Sequence, residues 1–99
     1  MGDYMKPKSV RTPKNMIKGD IEVLVDKGEW SWSLCRLTWD GRPSMGIRWN
    51  GSLEDGSMGT PQSRGLPTWF IIPDEVAAVI QKAVDAGEFN EPEGPGKTE

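Results

Sequence analysis

The chain reads as an α+β domain: a four-stranded antiparallel curved sheet followed by one C-terminal amphipathic helix, β-β-β-β-α. Its core is small enough to lean on a partner copy, so it is expected to dimerise. Three observations predict this. The stretch from Trp30 to Asn50, WSWSLCRLTWDGRPSMGIRWN, alternates aromatic, aliphatic and small polar residues on either side of Asp40-Gly41-Arg42-Pro43, as two half-buried strands and a turn do. Apolar residues recur at helical spacing after Pro73. Neither end has an apolar period. The folded body is therefore expected over residues 18–88, between a flexible basic N-terminal arm (1–17) and a disordered acidic tail (89–99), both dispensable for folding.

The arm carries Lys6, Lys8, Arg11 and Lys14 against Asp3, with Pro7 and Pro13 breaking any regular element. A first strand is expected at Ile21–Val25, bounded by Gly19-Asp20 and Asp26-Lys27-Gly28, with Ile21, Val23 and Val25 on one face. The second and third strands are expected at about 30–39 and 44–50. Asp-Gly between them supplies the positive φ of a tight hairpin. The expected register turns Cys35, Leu37, Trp39, Met45 and Ile47 towards the helix. It leaves Arg36 and Arg48 on the opposite face with Trp30 and Trp32. Residues 50–66 hold four glycines and Pro61 and read as a long loop, which in a small domain is either functional or disordered. Arg64, near its end, is placed to reach a ligand.

Pro67–Ile72 is the expected fourth strand, with Pro67 at its start. Pro73 suits a first helical turn, and Asp74 and Glu75 complement the positive end of the helix dipole. Val76, Val79, Ile80, Ala83 and Val84 form one apolar stripe, and Gly87 is a natural stop. The helix is expected over about 73–86. The tail EPEGPGKTE has two prolines, two glycines and three glutamates against one lysine.

Composition excludes several chemistries. The 99 residues contain no histidine and one cysteine, which removes histidine-based triads, Cys/His zinc sites and an intrachain disulfide. Cys35 sits in mid-strand and reads as a small buried apolar residue. Asp26, Glu29, Asp40, Glu54 and Asp55 fall at turns, where solvated carboxylates are ordinary. No enzyme, metal or cofactor is expected. No apolar run is long enough to span a membrane, and MGDYMKPKS lacks a signal-peptide core, so the expected location is cytoplasmic. The net charge of −3 argues against a strongly electrostatic binder of a polyanion.

Planar aromatics interleaved with guanidinium groups are the chemistry of single-stranded nucleic-acid binding. They are equally the composition of a buried core or of a protein-interface hot spot. Leu34-x-Arg36-x-x-Trp39, then Pro43, then Ile47-Arg48-Trp49, a loop, and a last strand running straight into a helix form an ordered set. Over roughly residues 20–86 that set resembles the single-stranded-DNA-binding domain of the transcriptional coactivator positive cofactor four, especially its compact bacterial relatives. The resemblance implies a homodimer whose helices pair, and sheets over which single strands run with bases on aromatics and phosphates near Lys and Arg. By position it implies roles for Arg36, Trp39, Arg48 and Trp49; strand parity adds Trp30 and Trp32. The expected function is thus a homodimeric single-stranded DNA or RNA binding module of low sequence specificity, with Trp30, Trp32 and Trp49 stacking and Arg36, Arg48 and Arg64 meeting phosphates. The alternative is a protein-interaction or scaffold domain that uses the same Trp/Arg sheet face on a polypeptide. A weaker third reading is an apolar small-molecule pocket roofed by the long loop.

Overall fold

A computed structural model describes residues 5–90. The strands are β1 (Ile17–Asp26), β2 (Trp32–Trp39), β3 (Arg42–Trp49), β4 (Gln62–Ser63), β5 (Leu66–Pro67) and β6 (Phe70–Ile72), and the helix is α1 (Asp74–Asp85). β1, β2, β3 and β6 form one antiparallel sheet in that order; β4 and β5 pair as a separate short ribbon. The fold is α+β, a four-stranded antiparallel sheet with one C-terminal helix, as the sequence predicts.

The β2–β3 hairpin decides which side chains share a face. Asp40 and Gly41 have φ of 52° and 81°, the doubly positive pair of a two-residue turn whose twist matches the strands. Trp39 therefore pairs with Arg42, and the ladder runs without interruption to Trp32 opposite Trp49. A two-residue turn pairs odd positions with even ones. The expected register needed odd with odd, so half of it is reversed. Trp32, Leu34 and Arg36 lie on the helix face with Met45, Ile47 and Trp49. Cys35, Leu37 and Trp39 lie on the far face, together with Arg48. Arg36 and Arg48 thus sit on opposite sides of the sheet.

Each face has its own core. Leu34, Met45, Ile72 and Ala77 are buried under the helix, with Trp32, Ile47, Ile80, Val84 and Phe89 packed around them. Val10, Ile17, Ile21, Cys35, Leu37 and Trp69 form the core of the far face. A register shift between Val23 and Val25 sends Val25 to the helix side, opposite Leu34, while Val23 stays opposite Cys35. The single apolar face expected for the first strand is therefore split by an extra residue.

The far core corrects the reading of the N-terminal arm. Within residues 5–17, Val10 is fully buried, the Trp69 indole Nε1 donates to the Val10 carbonyl at 2.8 Å, and the Thr12 hydroxyl donates to the Pro67 carbonyl. A lone valine between polar residues has no period, so pattern reading misses it, yet it fills the gap over Cys35. At the other end Phe89 packs edge-on against Trp32, with centroids 5.4 Å apart, so the folded body runs past 88. Of the expected acidic tail, residues 91–99 lie outside the described residues.

The predicted fourth strand is two short ones. Leu66–Pro67 pairs with β4, Thr68–Trp69 leaves the ladder so that Trp69 can cover the far core, and Phe70–Ile72 joins β3. The segment 50–66 is pinned along its length. The Glu29 carboxylate accepts from the Ser52 hydroxyl at 2.9 Å and the Leu53 amide at 2.8 Å, and Ser52 bridges Ser57. The helix starts at Asp74, one residue after Pro73. Its expected stripe is only partly covered: Ile80 and Val84 pack towards the sheet, Val76 and Val79 are exposed, and Ala77, outside that stripe, is buried there instead. Among the described residues no helix is long and apolar enough to cross a membrane.

Candidate functional site

The six residues singled out by sequence separate into four places. Trp30 and Trp49 are 60% and 59% exposed and line one shallow pocket of about 340 Å³ with Gly51, Ser57, Gly59, Thr60 and Gln62. Trp30 is held at φ 60°, a left-handed conformation that costs a bulky residue roughly 1–2 kcal/mol. Its amide donates to the Gly51 carbonyl at 2.7 Å, which fixes the turn. Trp49 ends β3 and exchanges two backbone hydrogen bonds with Thr60, at 2.8 and 3.1 Å. The pocket floor is made where two backbones nearly touch. A Cβ at Gly51 would come within 2.2 Å of the Ser57 carbonyl, and one at Gly59 within 2.1 Å of the Trp49 carbonyl. Only glycine permits that approach, and it leaves both indoles standing proud of a rigid floor.

Trp32 and Arg36 belong to the helix side. Trp32 is half-buried against Phe89, and the Arg36 Nε donates to the Gln81 side chain of α1 at 2.8 Å. Both brace the helix and its C-terminal extension.

Arg48 departs furthest from expectation. It is 3% exposed. Its guanidinium donates to the carbonyls of Met58 and Thr68, with a longer contact to Pro61 at 3.4 Å, and lies 6.0 Å from the Trp69 ring centroid. Arginine's planar fork suits several carbonyls at once, so Arg48 ties the 50–66 segment to the far face and is not presented to a phosphate. Asn50, buried at the end of the same hairpin, plays a similar part. It accepts from the Ser33 hydroxyl at 2.6 Å and donates to the Gly28 carbonyl at 2.8 Å. Arg64 is exposed at the β4–β5 turn, and Arg42 is engaged with Asp74 at 2.9 Å.

A second concavity, of about 570 Å³, opens between β3, β6 and α1. Trp32, Ile47, Trp49, Phe70, Ile80 and Phe89 give it an almost wholly apolar lining. Phe70, which lines it beside Trp49, is 62% exposed, and Val79 on α1 is 67% exposed. Sequence reading passed over Phe70 and Phe89. The signal for Phe70 was its place beside Trp69, where alternation must send one aromatic outward.

Cys35 offers no nucleophile. Burial pushes its thiol up to about 12, against a smaller opposite pull from a hydrogen bond with the Gly46 backbone, so the thiolate is scarce at neutral pH. Among the described residues no three His, Cys, Asp or Glu side chains are grouped to hold a metal ion. Comparison of the chain with protein-family models, curated proteins and solved structures gives no match.

Proposed function

We propose that the chain is a non-catalytic, cytoplasmic binding module for single-stranded nucleic acid of low sequence specificity, working as a homodimer. The observation that carries this reading is the Trp30/Trp49 pair: two indoles about 60% exposed over a rigid floor, one of them held in a strained backbone conformation. Exposed aromatics invite base stacking, worth about 1–3 kcal/mol per base, and strain held at an exposed aromatic fits a working position better than a packing one. Ser57, Thr60 and Gln62 on the same pocket offer hydrogen bonds to a base edge without selecting one base. The stacking set is therefore Trp30 and Trp49, without Trp32, and the cations left for phosphates exclude Arg48.

Self-association is supported by the exposed valines of α1, Val76 and Val79, an apolar helix face that a second copy would cover. The apolar concavity between β3, β6 and α1 favours the other reading, a scaffold domain docking an apolar polypeptide segment there, because its lining carries so little polar surface.

Tryptophan fluorescence titrated with oligo-dT at several salt concentrations tests the proposal. Quenching is expected, with a shallow slope of log K against log salt, about −1.4 for two phosphate contacts. Trp49→Ala and Trp30→Ala should each weaken binding at unchanged slope while keeping a cooperative melt. Folded variants that bind as the parent does would refute the stacking role.

A further inference from the structure

A second polar concavity lies where the N-terminal segment meets the β4–β5 ribbon. It holds about 530 Å³ and is lined by Lys14, Asn15, Ser63 and Arg64 over an apolar base that includes Met16 and Leu66. Its two cations are fifty positions apart in sequence, brought together because the N-terminal segment is docked. The Thr12 hydroxyl donates to the Pro67 carbonyl beside β5, and the Pro13 carbonyl accepts from the amides of Met16 and Ile17, each at 3.0 Å, closing the turn that carries Lys14 and Asn15. Among the described residues no carboxylate lines this concavity. Asp40, whose amide donates to the Met16 carbonyl, lines a different cleft with Arg42 and Asp74. Among the described residues neither Lys14 nor Arg64 makes an ion pair or a side-chain hydrogen bond. Arg36, Arg42 and Arg48, by contrast, are all engaged within the fold.

Arg64 also occupies a position that does not suit it. With Gly65 it forms the two-residue turn of the β4–β5 ribbon, at φ of 55° and 78°. The first place of such a turn belongs by preference to Asn, Asp or Gly. The hairpin joining β2 and β3 follows that rule with Asp40-Gly41. An arginine there carries backbone strain that asparagine would relieve, and among the described residues no ion pair or side-chain hydrogen bond of Arg64 offsets it.

We infer that Lys14 and Arg64, with the polar groups of Asn15 and Ser63, form a phosphate-binding pocket. The guanidinium supplies a planar fork and the ammonium a point charge for the phosphate oxygens, while Met16 and Leu66 take the less polar part of the ligand. The phosphate can come from the backbone of a single strand or from a free phosphorylated small molecule; the chemistry recognised is the same. The inference rests on this concavity and the Arg64 turn, and does not require the tryptophan pair.

Amide NMR spectra of the full chain, titrated separately with inorganic phosphate, thymidine 5′-monophosphate and oligo-dT, provide the test. Saturable shifts confined to residues 14–16 and 63–66 are expected with at least one of the three. Response to the monophosphate points to a free ligand, and response to the oligonucleotide alone to a strand phosphate. Arg64→Asn is the decisive variant. It should raise the melting temperature and weaken phosphate binding about tenfold, the loss of one charge-assisted contact; Lys14→Gln should weaken binding without changing stability. Shifts spread evenly over all surface lysines, or unaltered in both variants, would overturn the assignment. Oligo-dT quenching of Trp30 and Trp49 is read independently, so the pocket and the stacking surface can fail separately.

Discussion

Gly46 lies in the middle of β3, and the Trp69 side chain rests directly on it. A Cβ built there would stand 2.9 Å from the Trp69 Cβ and 3.2 and 3.3 Å from ring atoms Cγ and Cδ2, inside the roughly 3.5–4.0 Å at which carbon atoms pack comfortably. Trp69 cannot retreat. It is 3% exposed, its Nε1 donates to the Val10 carbonyl at 2.8 Å, and the Arg48 guanidinium lies across its ring. Gly46→Ala should therefore overpack the far core at a cost of about 1–3 kcal/mol. Replacing a strand glycine returns about 0.5–1 kcal/mol, leaving a net loss of about 0–2.5 kcal/mol, centred near 1 kcal/mol. In urea, with m near 1 kcal/mol/M, the midpoint should fall by roughly 1 M and by no more than about 2.5 M. In a Trp69→Leu background the same substitution should be neutral or stabilising, because the indole that blocks it is gone; the coupling in that cycle should exceed about 0.5 kcal/mol. A Gly46→Ala protein with a higher midpoint than the parent, or one whose effect is the same with and without Trp69, would refute the account of how Trp69 sits.

Deleting residues 1–11 should destabilise the domain by about 2 kcal/mol or more, since it empties the Val10 site and orphans the Trp69 indole donor; an unchanged melting temperature would contradict the docked segment. Val79→Asp, at a position 67% exposed on α1, should leave the fold intact and shift sedimentation from dimer to monomer, and an unaltered mass at micromolar concentration would remove α1 from the interface. The Cys35 thiol, raised from 9.0 to about 12, makes the native state hold its proton more tightly than the unfolded chain. Its contribution is complete below pH 9 and declines by about 1.4 kcal/mol per pH unit as pH rises towards 12. Unfolding curves should show that decline in the parent relative to Cys35→Ala, and an equal pH dependence of the two would refute it.

The parts of the fold legible in the sequence were those with local causes. Asp40-Gly41 demanded its turn, and the helical spacing of Val76, Val79, Ile80, Ala83 and Val84 behind Pro73 and Asp74 demanded α1, although Ala77, outside that stripe, is the helix residue most deeply buried. Which face each strand residue took was not legible, because parity depends on the turn's length to one residue. An even turn reversed the assignments of Cys35, Leu37, Trp32 and Arg36 together. Arg48 was misread for a different reason. Between Ile47 and Trp49 it has the composition of a binding surface, and the carbonyls that claim it belong to Met58, Pro61 and Thr68, on a segment whose path leaves no trace in hydrophobic pattern. Trp30 and Trp49 are both exposed, but parity was the wrong argument for Trp30: its exposure comes from a left-handed turn outside the ladder.

The two-sided sheet also constrains the order in which the chain can fold. The hairpin of β2 and β3 closes over two residues, and α1 follows β6 immediately, so these contacts are local and quick to form. The seating of Val10 is not: its partner Trp69 lies 59 positions away, and Thr12 reaches Pro67 across 55. Contacts that distant must first close a long stretch of chain and so form late. During synthesis the segment around Val10 emerges early and waits until Trp69 has been added before its core exists. Meanwhile one face of a tryptophan-rich sheet stands uncovered. The four cations that precede β1, Lys6, Lys8, Arg11 and Lys14, then act as gatekeepers: they keep the waiting segment solvated beside strands that would otherwise pair with a neighbouring chain.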